Sequence, residues 1–207
     1  MLFKNIPCQF DLKRRSCYKD FKRRKFLSQS YKFKHAGGGL IINGQLYRGS
    51  SFSAGEIGHT TVVFGGEKCG CGNRGCLEKY ASVPALLRSA RVHLSKYKNS
   101  SLRRFIGKGK VTLKALTQAA QKDKNALQLL KQQAAYLASG LASAVNLVNF
   151  EKLVLGGGFL DVYPEFLKMV ETELQQRVFP AALVKFEISQ AKLGNQAGIV
   201  GAAFLGS

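Results

Sequence analysis

The pattern of hydrophobic and polar positions changes abruptly near residue 36. Before it, bases and aromatics mix, and neither a period of 2 nor one of 3.6 holds for long. After it, the apolar run 40–42 and the run 45–47 flank Asn43-Gly44, a pair typical of a two-residue hairpin turn. The pattern predicts a β-hairpin there, at the start of a folded domain over residues 36–207.

Helical signals dominate the middle of the chain. Pro84 has the position of a first-turn proline and predicts a helix to about Lys98. Thr112 is expected to cap a helix-rich stretch that breaks near Asp123 and ends near Asn149. Residues 134–145 are small and apolar nearly all round, which predicts a buried helix.

The last third alternates strands and helices. A buried strand is predicted over 152–155, ending on the three glycines 156–158, and a helix follows over 163–177. A strand near 185–189 and a helix near 196–205 complete the order. Strands that alternate with helices indicate the α/β class.

Composition restricts the class of protein. No run of about eighteen uncharged apolar residues is present, and the start lacks the pattern of a signal peptide, so we expect a cytoplasmic protein without membrane contact. The formal net charge is +20, and residues 1–35 hold eleven Lys or Arg against two Asp. Such charge attracts polyanions, but we favour a solvated basic surface over specific nucleic-acid binding.

Three of the five cysteines fall within eight residues, in the run Cys69-Gly70-Cys71-Gly72-Asn73-Arg74-Gly75-Cys76. Crowded cysteines between glycines, in a chain with too few for a disulfide framework, indicate metal binding. Zinc favours four thiolate or imidazole ligands at tetrahedral geometry. His59 is the favoured fourth ligand, and His35 and His93 are the alternatives. A filled protein shell predicts a structural zinc. Cys8 and Cys17 are expected to be ordinary thiols.

Four separated motifs together resemble the ROK family of repressors, open reading frames and sugar kinases. They are residues 55–59 (Gly-Glu-Ile-Gly-His), the cysteine run followed by Glu78, residues 155–158 (Leu-Gly-Gly-Gly) and residues 193–198 (Leu-Gly-Asn-Gln-Ala-Gly). The resemblance covers about residues 36–207. It implies the C-terminal domain of an actin-like ATPase (ribonuclease H-like) fold, with a zinc-binding loop and a helical insert.

The resemblance also implies roles for individual residues. Glu56, His59 and Glu78 would hydrogen-bond the hydroxyls of a hexose, while His59 also binds zinc together with Cys69, Cys71 and Cys76. Six glycines would lie against ATP, which the kinases of the family use with magnesium: Gly37, Gly38, Gly39, Gly156, Gly157 and Gly158. The family often forms dimers through this half, so a homodimer is one expectation.

The first 35 residues depart from the family pattern. The resemblance implies an earlier lobe with an Asp-x-Gly-x-Thr phosphate motif and a Glu-Asn-Asp stretch that contains the catalytic base, and neither matches any part of this sequence. We therefore assign no catalytic residue. Residues 1–35 are interpreted as a disordered, frameshifted or truncated start outside the fold, and a natural basic arm is the competing interpretation.

Three functions remain open on these observations. The leading one is a fragment of a ROK sugar kinase, whose parent reaction is ATP-dependent phosphorylation of a hexose such as glucose, fructose or an N-acetylated amino sugar, and which is impaired here. A sugar-sensing regulator without enzymatic activity is disfavoured, because residues 1–35 show no two-helix pattern with a glycine turn. A zinc protein that binds nucleic acid through its basic arm is the third.

Overall fold

The computed structural model describes residues 25–31, 35–97, 100, 102–106 and 110–193. Its centre is a five-stranded mixed sheet with the strand order β3-β2-β1-β4-β5. The strands are β1 (Lys25–Tyr31), β2 (His35–Ile42), β3 (Gln45–Tyr47), β4 (Lys152–Gly156) and β5 (Glu187–Gln190).

The predicted hairpin is present. β2 and β3 run antiparallel, with Ile42 opposite Gln45. Asn43 and Gly44 connect them at φ values of 53° and 78°. Both values are positive, as a type I′ turn requires, and asparagine and glycine tolerate that conformation at the least cost. Leu40 packs against the core cluster, and Ile41 is buried on the opposite face of the strand, so a slip of one residue would exchange the two environments.

Residues 25–31 differ from the expectation that the first 35 residues lie outside the fold. They form β1, which pairs antiparallel with β2 and parallel with β4 and so occupies the middle of the sheet. Two neighbouring strands supply its backbone hydrogen-bond partners, so its place in the sheet does not require a hydrophobic period of its own. Residues 1–24 lie outside the described part of the chain.

Eight helices and one short 3₁₀ turn are found in the described ranges. The turn is Ile57–His59. The helices are α1 (Glu78–Ala81), α2 (Val83–Lys96), α3 (Leu102–Ile106), α4 (Leu113–Ala120), α5 (Lys124–Val148), α6 (Gly158–Val162), α7 (Phe166–Gln175) and α8 (Pro180–Leu183).

Side-chain caps explain where the three long middle helices begin. The hydroxyl of Ser82 accepts from the N–H of Ala85 at the start of α2, where Pro84 fills the first turn. Thr112 caps α4 in the same way. The carboxylate of Asp123 accepts from the N–H groups of Asn125 and Ala126 and begins α5. Each cap satisfies backbone donors that have no partner within the helix. The predicted boundaries near 84, 112 and 123 are therefore confirmed.

Helix α5 forms the centre of the hydrophobic core. Its fully buried residues, including Leu130, Leu141 and Val145, face α2, α4, α7 and the segment before α1. Gly140 lets Leu77 approach closely, because a Cβ there would lie 2.6 Å from Leu77 Cδ2. This contact joins the cysteine-rich loop to the core. The burial predicted for residues 134–145 is confirmed, since Ser143 alone among them is exposed, and exposure begins after that stretch with Leu147 at 86%.

Two further predictions of elements are refined and one falls outside the described residues. Strand β4 ends at Gly156 as expected, and β5 lies two residues later than predicted at its start. The helix predicted over 163–177 is present as α7, which begins three residues later, after Pro164, and ends two residues earlier than expected. The short helix α6 before Pro164 was not predicted. The helix predicted over 196–205 lies outside the described residues. No helix of the described part is both long and apolar enough to cross a membrane.

Candidate metal centre and the adjoining carboxylates

Residues 59–76, called here the metal loop, fold back on themselves as a small irregular hairpin. The N–H of Cys69 donates to the carbonyl of Asn73 at 2.8 Å, and the N–H of Gly72 donates to the carbonyl of Cys69 at 3.1 Å. The tight turn between them requires φ of 95° at Gly72. It brings cysteines that are seven residues apart in the sequence to the same end of the loop.

Four potential ligand atoms converge at that end. They belong to His59, Cys69, Cys71 and Cys76, and all four lie within 4.8 Å of one another. Nδ1 of His59 is 3.6 Å from Sγ of Cys69, and Sγ of Cys71 is 3.6 Å from Sγ of Cys76. Zinc bonds of about 2.1–2.3 Å at tetrahedral angles place neighbouring ligand atoms about 3.5–3.8 Å apart. The donor set and its spacing therefore fit a tetrahedral zinc ion.

One of the two competing histidines lies elsewhere. His93 is on α2, where its ring packs against Tyr97 with centroids 4.6 Å apart, and it does not belong to the cluster. His35 is the first residue of β2, and its side chain lies outside the described part of the structure. Between the two described histidine side chains, the fold of the loop selects His59.

The three thiols have different surroundings. Cys69 and Cys76 are buried, and Cys71 is exposed. Burial, together with the neighbouring thiols, raises the pKa of Cys76 to about 12. A backbone hydrogen bond from Asn73 is the main cause that lowers the pKa of Cys71. A metal ion would favour the deprotonated form of all three, because thiolates are the form that binds metal.

Glu56 lies beside the cluster on the other side of the imidazole. Its Oε2 is 4.0 Å from Nε2 of His59, while Nδ1 of the same ring faces the thiols. The Glu56 side chain is 58% exposed and that of His59 is 37% exposed. His59 is therefore placed between a potential metal site and a carboxylate that solvent or a ligand can reach.

Glu78 is the third residue for which a sugar contact is predicted. It is the first residue of α1, two positions after Cys76, and is half-buried. The N–H of Leu77 donates to the carbonyl of Thr60 at 2.8 Å, so the start of α1 is held next to the segment that follows His59. His59 at the start of the metal loop and Glu78 just after its end therefore lie on neighbouring segments.

The metal loop is fastened to the helices by contacts that the sequence motifs do not reveal. The N–H of Glu67 donates to the hydroxyl of Tyr80 at 2.7 Å, and the Tyr80 ring packs on Tyr136 of α5. The Glu67 carboxylate accepts from Arg88 of α2 at 3.0 Å. Glu67 and Arg88 are 21 residues apart, and no spacing rule predicts that they meet. The side chain of Arg88 also donates to the carbonyl of Lys79 at 2.8 Å.

The first glycine group packs against the segment that carries Glu56. Gly37, Gly38 and Gly39 lie within β2, and the N–H of Gly38 donates to the carbonyl of Gly55 at 2.8 Å. A Cβ at Gly55 would lie 2.1 Å from the Gly38 carbonyl oxygen. The N–H of Gly38 is therefore bonded to Gly55, and the glycines permit the close approach of two backbone segments. A contact of these three glycines with ATP stays a prediction.

The second glycine group ends β4 and begins α6. A Cβ at Gly156 would lie 2.9 Å from Cβ of Ala191, and Gly157 has a φ of 119°. Gly158 is buried. Packing and turn geometry therefore require glycine at two of these positions, and a nucleotide contact for all three stays a prediction. In the fourth motif, residues 194–198 lie outside the described part.

Comparison with known proteins yields one family. The ROK family model matches residues 35–207. The chain is 37% identical over 172 residues to a glucokinase of Halalkalibacterium halodurans, which covers 82% of this chain and 52% of that protein. It is 35% identical over 165 residues to the xylose repressor of Bacillus spizizenii, covering 80% of this chain and 40% of the repressor.

Solved structures agree with this result. A ROK family glucokinase from Streptomyces griseus, in complex with glucose and AMPPNP, superposes with a TM-score of 0.76 at 30% identity. The superposition covers 89% of this chain and 60% of that one. The chain thus spans about half the length of the curated relatives it matches. Relatives of both kinds, kinases and repressors, share the region described here.

Proposed function

Because the chain belongs to the ROK family, we propose that it forms the sugar-binding half of a ROK sugar kinase whose parent reaction is ATP-dependent phosphorylation of a hexose. The observation that carries the proposal is the position of His59, with Nδ1 3.6 Å from a thiol of the metal cluster and Nε2 4.0 Å from Glu56. In this arrangement Nδ1 would bind the metal, and Nε2 would hydrogen-bond the substrate.

Zinc would be held by His59, Cys69, Cys71 and Cys76 and would supply a structural cross-link, because four protein ligands leave no position for a reactive water. The chain's own residues do the binding. The Glu56 and Glu78 carboxylates accept hydrogen bonds from sugar hydroxyls, and His59 adds a contact whose direction is fixed by its ligated nitrogen. These groups orient the sugar and transfer no proton.

Phosphoryl transfer further requires an oriented nucleophile, a base and charge neutralisation. In the 207 residues we find no counterpart of the aspartate segment that the resemblance implies. We propose that this chain binds sugar but phosphorylates it poorly. The test combines calorimetric titration with glucose, fructose, mannose and N-acetylated amino sugars and a coupled ATP assay with magnesium. Hexose binding with little turnover is expected, and turnover at ordinary kinase rates would contradict the impairment.

A sugar-sensing regulator is the second candidate, because similarity to a xylose repressor is nearly as high as similarity to a glucokinase. The two proposals differ in the ligands they predict. A kinase half that uses residues 156–158 binds a non-hydrolysable ATP analogue, and bound hexose raises the affinity of the chain for that analogue. A sensor binds sugar, with xylose among the panel, and does not bind the nucleotide. Titration of the analogue with and without sugar separates them.

Replacing Glu56 with glutamine is expected to weaken hexose binding by about 10- to 100-fold, since a hydrogen bond to a charged group contributes about 1.5–3 kcal/mol. Zinc content should stay unchanged, because Glu56 is not one of the four clustered ligands. Calorimetric titration and metal analysis measure the two effects. The control is Glu165→Gln, which removes an exposed carboxylate far from Glu56 in the sequence. Equal weakening by both variants would contradict the role of Glu56.

A further inference from the structure

Acidic and basic residues are strongly segregated along the chain. Residues 79–150 contain thirteen Lys or Arg and a single acid, Asp123. Residues 151–193 contain five Lys or Arg and six acids. Asp123 is only 4% exposed, because its carboxylate caps α5. Among the described residues of 79–150, therefore, no exposed carboxylate offsets the bases.

Most of the described bases of this region face solvent. Nine of them are exposed, namely Arg91, Lys96, Arg103, Arg104, Lys110, Lys114, Lys122, Lys124 and Lys131. Among the ion pairs of the described residues, none involves these nine. In residues 151–193, by contrast, three bases pair with Glu171, Glu173 and Glu187. Lys79 and Arg88 pair with Glu67, whereas the nine exposed bases of the helical region have no ion-pair partner among the described residues.

Part of this charge lies on the exposed sides of α4 and α5, two helices that pack against each other. Lys114 and Gln118 are four residues apart on α4, and Lys124, Gln128 and Lys131 are three or four residues apart on α5. We call the exposed polar side of this helix pair the lysine–glutamine face, and its residues are Lys114, Gln118, Gln121, Lys122, Lys124, Gln128, Lys131 and Gln132. The opposite sides of both helices are buried in the core.

We propose that the lysine–glutamine face binds the phosphate backbone of a nucleic acid, without reading its sequence. Lysine together with uncharged amides is the set of side chains that contacts phosphates and sugars in such complexes. The face contains no exposed apolar residue that could insert into a lipid surface, which argues against a membrane. Lys124 and Lys131 are separated by about 10 Å along the helix axis, so the face can neutralise several phosphates of one strand.

This proposal departs from the interpretation of the charge as a merely solvated surface. The sequence showed the excess of bases, but it did not show that the only acid of the region is buried as a helix cap or that the bases follow the spacing of two packed helices. These features create a surface of one sign that faces outward. It shares no residue with the metal loop or with the residues proposed to hold the sugar.

The test is fluorescence anisotropy of a labelled random-sequence duplex with the full chain, over a series of salt concentrations. The variant K114Q/K124Q/K131Q removes three charges from the face, and K168Q/K185Q/K192Q removes three exposed charges from the C-terminal region. Each released phosphate contact changes the slope of log K against log salt by about 0.9, so the first variant should flatten the slope by about 2 to 3 and weaken binding about tenfold or more.

The control variant should change the slope by less than about 1, although the net charge of both variants is the same. The eleven bases of residues 1–35 remain in both proteins, so their contribution cancels. Thermal unfolding checks that both variants are folded. Equal effects of the two variants, or none, would overturn the proposal. So would tighter binding of poly-L-glutamate than of the duplex at the same salt, which would assign the face to an acidic protein instead.

Discussion

The variant Cys76→Ser is expected to lose stoichiometric zinc and to unfold at a lower urea concentration than the unmodified chain. Cys76 is fully buried, and its Sγ lies 3.6 Å from Sγ of Cys71. Serine removes one of four ligands, so zinc content should fall from about one per chain to a small fraction of that. Where free zinc exceeds the dissociation constant a thousandfold, its loss removes about 4 kcal/mol from the free energy of unfolding.

Metal analysis after dialysis and urea unfolding with and without added zinc measure this effect. Cys8→Ser and Cys17→Ser change the same chemical group at positions expected to be ordinary thiols, and neither should alter zinc content. If Cys76→Ser keeps its zinc, the cluster is not the binding site. If the control variants lose as much zinc as Cys76→Ser does, binding depends on the number of thiols rather than on this loop.

The sequence predicts best where one residue decides the local conformation. Asn43 and Gly44 adopt the positive φ that a tight hairpin turn needs, and Thr112 and Asp123 cap the helices predicted to begin after them. The cysteine spacing likewise indicates the metal cluster, because the glycines between the thiols permit tight turns. In each case the physical cause lies within a few residues and is visible without the fold.

Features that depend on distant residues could not be predicted. Strand β1 has no period of its own, and its position follows from pairing with β2 and with β4, which lies more than a hundred residues later. The selection of His59 over His93 depends on how the loop closes. The contact of Arg88 with Glu67 joins a helix to the loop across 21 residues. Tertiary packing, rather than propensity, determines all three.

Replacing Gly75 with alanine is expected to damage the metal loop severely. Gly75 has a φ of 78°, and a Cβ there would lie 1.7 Å from the carbonyl oxygen of Val63. The close atom belongs to the backbone of Val63. That backbone is held in place, because the N–H groups of Val62 and Val63 both donate to the Gly75 carbonyl. The left-handed conformation costs about 1–2 kcal/mol and the overlap about 1–3 kcal/mol, so the free energy of unfolding should fall by about 2–5 kcal/mol.

Two other glycines of the same loop separate the causes of that loss. Gly72 has a φ of 95°, but a Cβ there meets no atom within 4 Å, so Gly72→Ala isolates the conformational cost of about 1–2 kcal/mol. Gly70 has neither a positive φ nor a close neighbour, and Gly70→Ala should change stability by less than about 0.5 kcal/mol. Urea unfolding and competition with a zinc chelator rank the three variants. Zinc affinity should follow the same order, because Gly75 directly precedes the ligand Cys76, and a reversed order would show that the loop does not hold the ligands in place.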